Sequence, residues 1–251
     1  MCLFVPFLID AQSETHSDEL TNELVRVEFD IFSFEDEVVI SQLILKKSKI
    51  QSGAKDYPAA LKTLQRVNVY NLSDSLKHVF FKEQIVLHYL LGNHGQAKSM
   101  LLEAGLLDSW EPDDDLRLTE ILNDVALGNF NQAKELYHKL NPGVNVLEVF
   151  DVKKVRNPQK AFNLSLLLPG SGQIYAGSFL KGISSAGIQT LLFAYGIRGI
   201  QKQYYFTEAL TSIALFQGFY FGGAEYAREL ADERNNNISR ELSVKILDSF
   251  K

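Results

Sequence analysis

The chain has 251 residues, of which 46% are apolar, 11% aromatic and 22% charged, a composition that excludes disordered, collagenous and low-complexity classes. Its formal charge of −6 argues against a nucleic-acid function driven by net positive charge. The single cysteine, Cys2, excludes a disulfide scaffold and a cysteine-rich zinc site.

These averages conceal a division. Residues 161–227 hold five charged side chains (Lys181, Arg198, Lys202, Glu208 and Glu225), while the other 184 residues carry 51. Ten of the 16 glycines fall between Gly170 and Gly223. The pattern predicts one part built for water and another built for close helix packing in lipid or in a very apolar core.

The chain begins with an apolar run over residues 2–9, then Ala11, Gln12 and a polar stretch. Residues 1–11 resemble the end of a secretory signal peptide with cleavage after Ala11, although the run is short and no basic residue precedes it. Residues 12–34 are expected to form an N-terminal cap on residues 35–143. Within the cap Val25–Phe32 alternates with period two, which favours a strand, while its neighbours favour a helix, so both remain open.

Residues 35–143 carry an internal repeat. Lys55-Asp-Tyr57-Pro-Ala-Ala60 recurs as Gly92-Asn-His94-Gly-Gln-Ala97 and as Gly128-Asn-Phe130-Asn-Gln-Ala133, with the alanines 37 and 36 residues apart. Apolar residues follow each alanine at i+4 and i+7: Leu64 and Val67, Leu101 and Ala104, Tyr137 and Leu140. This spacing marks one face of an amphipathic helix. The alanine lets two helices of a hairpin approach closely, and Gly or Asn before it tolerates the positive φ of a tight turn. Helical patterns at Val38–Ile50, Leu76–Leu91 and Leu116–Leu127 supply the first helix of each hairpin. Pro112 before Asp113, Asp114 and Asp115 reads as a helix start with the proline in its first turn. The unit resembles the tetratricopeptide repeat, a helix-turn-helix of about 34 residues, over residues 35–142. Pro142 sits near that family's terminal proline, whereas the first two repeats lack it and none has the family's tryptophan. The resemblance implies a short arc of three hairpins that binds another protein, with Tyr57, Ala60, His94, Ala97, Phe130 and Ala133 as its turn and groove residues.

Residues 144–160 read as a linker ending in Lys153, Lys154, Arg156 and Lys160. The apolar segment 161–227 opens with Phe162-Asn-Leu-Ser-Leu-Leu-Leu and then Pro169-Gly-Ser-Gly-Gln-Ile-Tyr-Ala-Gly177. Two stretches come next, near 178–197 and 205–226, each close to the 20 or so residues that span hydrocarbon. Small residues recur at Gly182 and Ala186 and at Gly218 and Gly222, a spacing that lets membrane helices touch. The opening motif lacks the Lys-Ser/Thr of a phosphate loop. It resembles the Pro-Gly-x-Gly-Gln-x-Tyr-x-Gly signature of small bacterial membrane hairpins of the TM2 type. The resemblance implies a two-helix transmembrane hairpin at 161–227, with Pro169, Gly170, Gly172, Gln173, Tyr175, Gly177, Gly218 and Gly222 in structural roles. Pro169 and Gly170 are expected to break a short helix, Gly172 and Gly177 to allow a tight re-entry, and Gln173 and Tyr175 to satisfy the freed backbone groups. Residues 228–251 are expected to form an amphipathic tail, a surface helix.

Topology signals conflict. Export of residues 12–160 places the loop around Arg198 and Lys202 in the cytoplasm, as positive charge prefers, but leaves the four basic residues at 153–160 outside. The leader and that loop agree on a bacterial inner-membrane protein with a periplasmic repeat domain.

The five histidines, His16, His78, His88, His94 and His138, form no metal-ligand pattern, and no nucleophile elbow or triad is apparent. Glu208 and Glu225 lie near the ends of apolar helices, where they can snorkel. The expected protein is therefore all-α and non-enzymatic, without catalytic, metal or cofactor residues. Its partners would be another protein and membrane lipid, not nucleic acid or a small-molecule substrate. A hairpin that itself acts in transport, membrane-protein insertion or lipid handling is the alternative, and a soluble helical adaptor the third reading.

Overall fold

A computed structural model describes residues 5–107, 110–151, 155–201 and 207–250. Every regular element among them is helical, so the chain is all-α. It divides into two compact units, Met1–Pro142 and Gly143–Lys251.

The first unit opens with α1 (Val5–Ser33). The first four residues of the expected leader lie outside the described residues, and Val5–Ala11 begins this helix. The open question over Val25–Phe32 resolves to helix, because Val27 and Ile31 are buried four residues apart against the next helix. Three hairpins follow: α2 (Glu37–Gly53) with α3 (Tyr57–Leu64), α4 (Asp74–Leu90) with α5 (His94–Ala104), and α6 (Asp114–Ala126) with α7 (Phe130–Leu140). Consecutive helices pack together, and α4 also touches both α2 and α6. Asp113, not Pro112, is the hinge into α6: its Oδ1 accepts the Leu116 N–H at 2.9 Å, and the proline stands just outside the helix.

The three hairpin turns share one backbone solution. Two residues beyond the end of each first helix stands a residue at positive φ, Lys55 (63°), Gly92 (74°) and Gly128 (77°). The residue after it donates five residues back, Asp56 to Gln51, Asn93 to His88 and Asn129 to Asp124. This is the left-handed helix stop that glycine favours. Lys55 holds the conformation at a side-chain cost of about 1–2 kcal/mol. Lys55→Gly is therefore expected to raise the stability of this unit by roughly 0.5–1 kcal/mol, net of glycine's extra freedom when unfolded. Urea unfolding followed by fluorescence of Trp110, the sole tryptophan, reads this unit, because the indole stacks on His78 at 5.0 Å. A lower midpoint for the glycine variant would refute the strain.

The second unit contains α8 (Val146–Val149), α9 (Pro158–Leu167), α10 (Ser171–Tyr175), α11 (Phe179–Gln201) and α12 (Thr207–Asp248). The linker expected at 144–160 thus holds α8 and the first turn of α9, while Lys153 and Lys154 lie outside the described residues. The tail from residue 228, expected as a surface helix, is helical and continues α12, which runs unbroken for 42 residues. No glycine or proline follows Gly223 before its end, so nothing in the backbone stops it. Among the described residues no helix is long and apolar enough to cross a membrane. Within residues 161–227, α11 packs against the first half of α12, while Lys202–Phe206 lie outside the described residues.

Candidate functional site

The repeat residues occupy equivalent places. Tyr57, His94 and Phe130 are each the first residue of the second helix in their hairpin, and all three are half-buried. Ala60, Ala97 and Ala133 are fully buried one turn later. The alanines give the hairpins their close approach, as a larger side chain there has no space to occupy. His94 is committed to packing between repeats: its Nδ1 pairs with Asn123 Oδ1 at 3.0 Å, and its carbonyl accepts from Asn123 Nδ2 at 3.2 Å. Tyr89 covers its ring at 5.5 Å.

Beside it lies a pair that sequence reasoning missed. Lys98 Nζ donates to Asp124 Oδ2 at 3.0 Å, and Asn129 Nδ2 donates to the other carboxylate oxygen. Asp124 is fully buried. Asn123 and Asp124 interrupt the buried apolar face of α6, between Leu122 and Val125. A polar pair at buried helix positions was the available signal, but its partners on α5 are 26–29 residues away in sequence. Elsewhere in this unit, Lys82 and the Leu116 N–H hold the Asp113 carboxyl below the usual carboxylate range. Burial raises the Glu28 carboxyl, but Lys47 and Arg66 outweigh it and leave it lowered. Burial also keeps the His88 imidazole below its ordinary value.

In the second unit the glycine motif builds a re-entrant corner. α9 runs antiparallel to α12: Arg156 and Asn235 exchange two hydrogen bonds at 2.9 and 2.7 Å, Gln159 accepts from Arg228, and the Tyr220 hydroxyl donates to the Leu166 carbonyl. The chain breaks at Pro169, turns through Gly170 at φ 88°, and returns in α10. Gly177, at φ 97°, turns it again into α11. A Cβ on Gly172 would overlap the Ala161 carbonyl oxygen, and one on Gly170 would overlap the Gly182 carbonyl oxygen. These two glycines bring α10 into backbone contact with α9 and α11.

Gln173 is buried and fixes this corner to α12. Its Nε2 donates to the Gly223 carbonyl at 2.8 Å and its Oε1 accepts from Ser165 Oγ at 2.9 Å. Ser165 Oγ in turn accepts the Gly172 N–H at 3.1 Å. Tyr175 acts lower down, where its hydroxyl accepts the Asn157 N–H at 3.1 Å and Arg156 lies over its ring at 5.0 Å. At the end of α9 the Ser171 hydroxyl adds bonds to the Leu164 and Leu168 carbonyls, at 2.6 and 2.7 Å, and Tyr220 takes the Leu166 carbonyl, two residues that sequence reasoning did not single out. Its choice of Gly218 and Gly222 for helix contact needs correction. A Cβ at either meets nothing within 4 Å, whereas one on Gly223 would meet Ser185, Gln189 and Gln173 at 3.3–3.7 Å. The close face of α12 is one residue further on, set by the corner packed against it. Gly182 and Ala186 likewise face Gly170.

Among the described residues no group of histidine, cysteine and acidic side chains could hold a metal ion. No protein-family model, curated protein or solved structure matches the chain.

Proposed function

We propose that this chain is a non-enzymatic helical-repeat protein of the bacterial cell envelope, anchored in the inner membrane by its C-terminal hairpin, whose repeat unit binds another protein. The observation that carries the reading is the outward face of the hairpin. Leu180, Leu191 and Phe193 are 79%, 71% and 63% exposed, and Phe179, Ile183, Ile197, Phe219 and Phe221 are exposed with them. Monomers in water rarely expose so many large apolar side chains on two neighbouring helices.

The average apolarity of α11 understates its outer face. Gln189 is buried, its amide nitrogen 3.4 Å from the Phe219 carbonyl. Ser184 and Thr190 return their hydroxyls to the carbonyls of Leu180 and Ala186 at 2.9 and 2.8 Å. The hydroxyls that dilute the helix thus find partners within the protein, as lipid requires, while Gln189 turns inward with its Oε1 unpaired. The resemblance of the first unit to tetratricopeptide repeats, with its stacked hairpins, supports a protein-binding role.

Alkaline carbonate extraction of membranes carrying the full chain tests the anchor, and co-purification in mild detergent tests the binding. The chain is expected in the membrane pellet. A co-purifying protein is expected to be lost on replacing the exposed Tyr70, Leu102 and Leu106 by serine. Release of the chain into the supernatant would overturn the anchor. Capture that survives these substitutions would remove these three side chains from the proposal.

A further inference from the structure

The foot of the hairpin contains a cavity of about 410 Å³ between the start of α11 and the middle of α12, lined by Ser178, Lys181, Glu233, Arg234, Asn237 and Glu241. That volume lies in the range of small-ligand pockets, about 300–1,000 Å³. Two cations and two carboxylates face one space, so the lining is formally neutral yet carries both signs. Arg234 lines this space with its Nε buried without a hydrogen-bond partner, and its guanidinium lies over Gly177, where any Cβ would displace it.

The surroundings are equally specific. Phe179, Leu180 and Ile183 beside the cavity are exposed apolar side chains. At the same level α12 changes character, from the apolar run ending at Ala224 to the charged sequence Glu225 to Arg234. A ligand here meets paired charges at one end and an apolar helix face at the other.

We propose that this cavity seats the head of a zwitterionic phospholipid whose phosphodiester carries a primary ammonium, that is, a phosphoethanolamine head, with the acyl chains lying along α11. Arg234 and Lys181 take the phosphate, because a guanidinium and an ammonium give it charge-assisted hydrogen bonds. Glu233 and Glu241 take the ligand's ammonium. A glycerol headgroup offers those carboxylates no positive charge, and a choline headgroup offers them no N–H donor. The inference rests on the reading of the hairpin as lipid-embedded.

The test uses the full chain, purified in non-ionic detergent and stripped of lipid. Native mass spectrometry measures retention of phosphatidylethanolamine, phosphatidylcholine and phosphatidylglycerol. The ethanolamine lipid is expected to bind about tenfold more tightly than the others, the worth of one charge-assisted contact. Lys181→Gln and Arg234→Gln should each remove about that factor, with helix content unchanged by circular dichroism. Glu241→Gln should narrow the preference over choline. Lys181 is exposed, so its substitution carries little risk to folding. Equal retention of the three lipids, or retention unchanged in Lys181→Gln, overturns the site.

Two further arms separate this proposal from the anchor: flotation with phosphatidylcholine vesicles, and titration with soluble O-phosphoethanolamine. Flotation without any headgroup preference refutes the site and leaves the anchor standing. Failure to float, with Lys181-dependent binding of O-phosphoethanolamine, refutes the anchor and supports the headgroup chemistry with a free ligand as its source. Failure in both arms refutes both.

Discussion

Replacing Gly172 by alanine is expected to collapse the corner of the second unit, at a cost of more than about 3 kcal/mol. The added methyl would come within 2.0 Å of the Ala161 carbonyl oxygen and 2.4 Å of Ser165 Oγ, and both belong to α9. Backbone cannot give way as a flexible side chain can. The Gly172 N–H bond to Ser165 would break, and with it the link through Gln173 to Gly223. Gly170→Ala should act similarly, since it adds the strain of φ 88° to a clash with the Gly182 carbonyl. Gly222→Ala is the control. It meets open space on a regular helix, so it should be neutral or stabilise by up to about 1 kcal/mol. Hydrogen exchange of the full chain in detergent distinguishes them. Gly172→Ala should lose protection across α9 and α10 while Gly222→Ala keeps it. Equal protection in the two variants would contradict the close approach.

The second large effect lies between the second and third hairpins. Lys98→Met should destabilise the repeat unit by about 3–5 kcal/mol, because it strands the buried Asp124 carboxylate with only Asn129 for a direct side-chain partner. The double variant Lys98→Met, Asp124→Leu removes the charge with its partner and should recover much of the loss, as apolar replacements of buried ion pairs do. Urea unfolding of the four corners of this cycle, read at Trp110, gives the coupling. Simple additivity would show that the pair does not hold the repeats in register.

What the sequence reveals is governed by how local the cause is. The alanines were legible because one steric requirement recurs at the same place in three hairpins, and Ala60, Ala97 and Ala133 are all fully buried. The turns were legible for Gly92 and Gly128, whose backbone freedom is visible in the letters, and for Lys55 only by alignment with them. Non-local causes were not legible. The inward face of α12 depends on where the corner from Gly170 to Tyr175 lands. Period alone therefore picked Gly218 and Gly222 over Gly223. The full length of α12 was obscured by its own chemistry, since the change from apolar to charged near Glu225 reads as a boundary. Backbone hydrogen bonding is indifferent to that change, and the absence of glycine and proline from residue 224 to 248 was the better guide. The same separation of faces explains α11, whose composition includes Gln189 although its outer surface does not.

The central claim is that the two units live in different solvents, and site-directed spin labelling measures this directly. Cys2 is the chain's only cysteine, so a Cys2→Ser background accepts single labels at Leu191, Phe193 and Leu102. With the full chain in vesicles, labels at 191 and 193 should relax with dissolved oxygen and be shielded from a water-soluble nickel complex, and the label at 102 should show the reverse. Access of the nickel complex to all three positions alike would contradict the account.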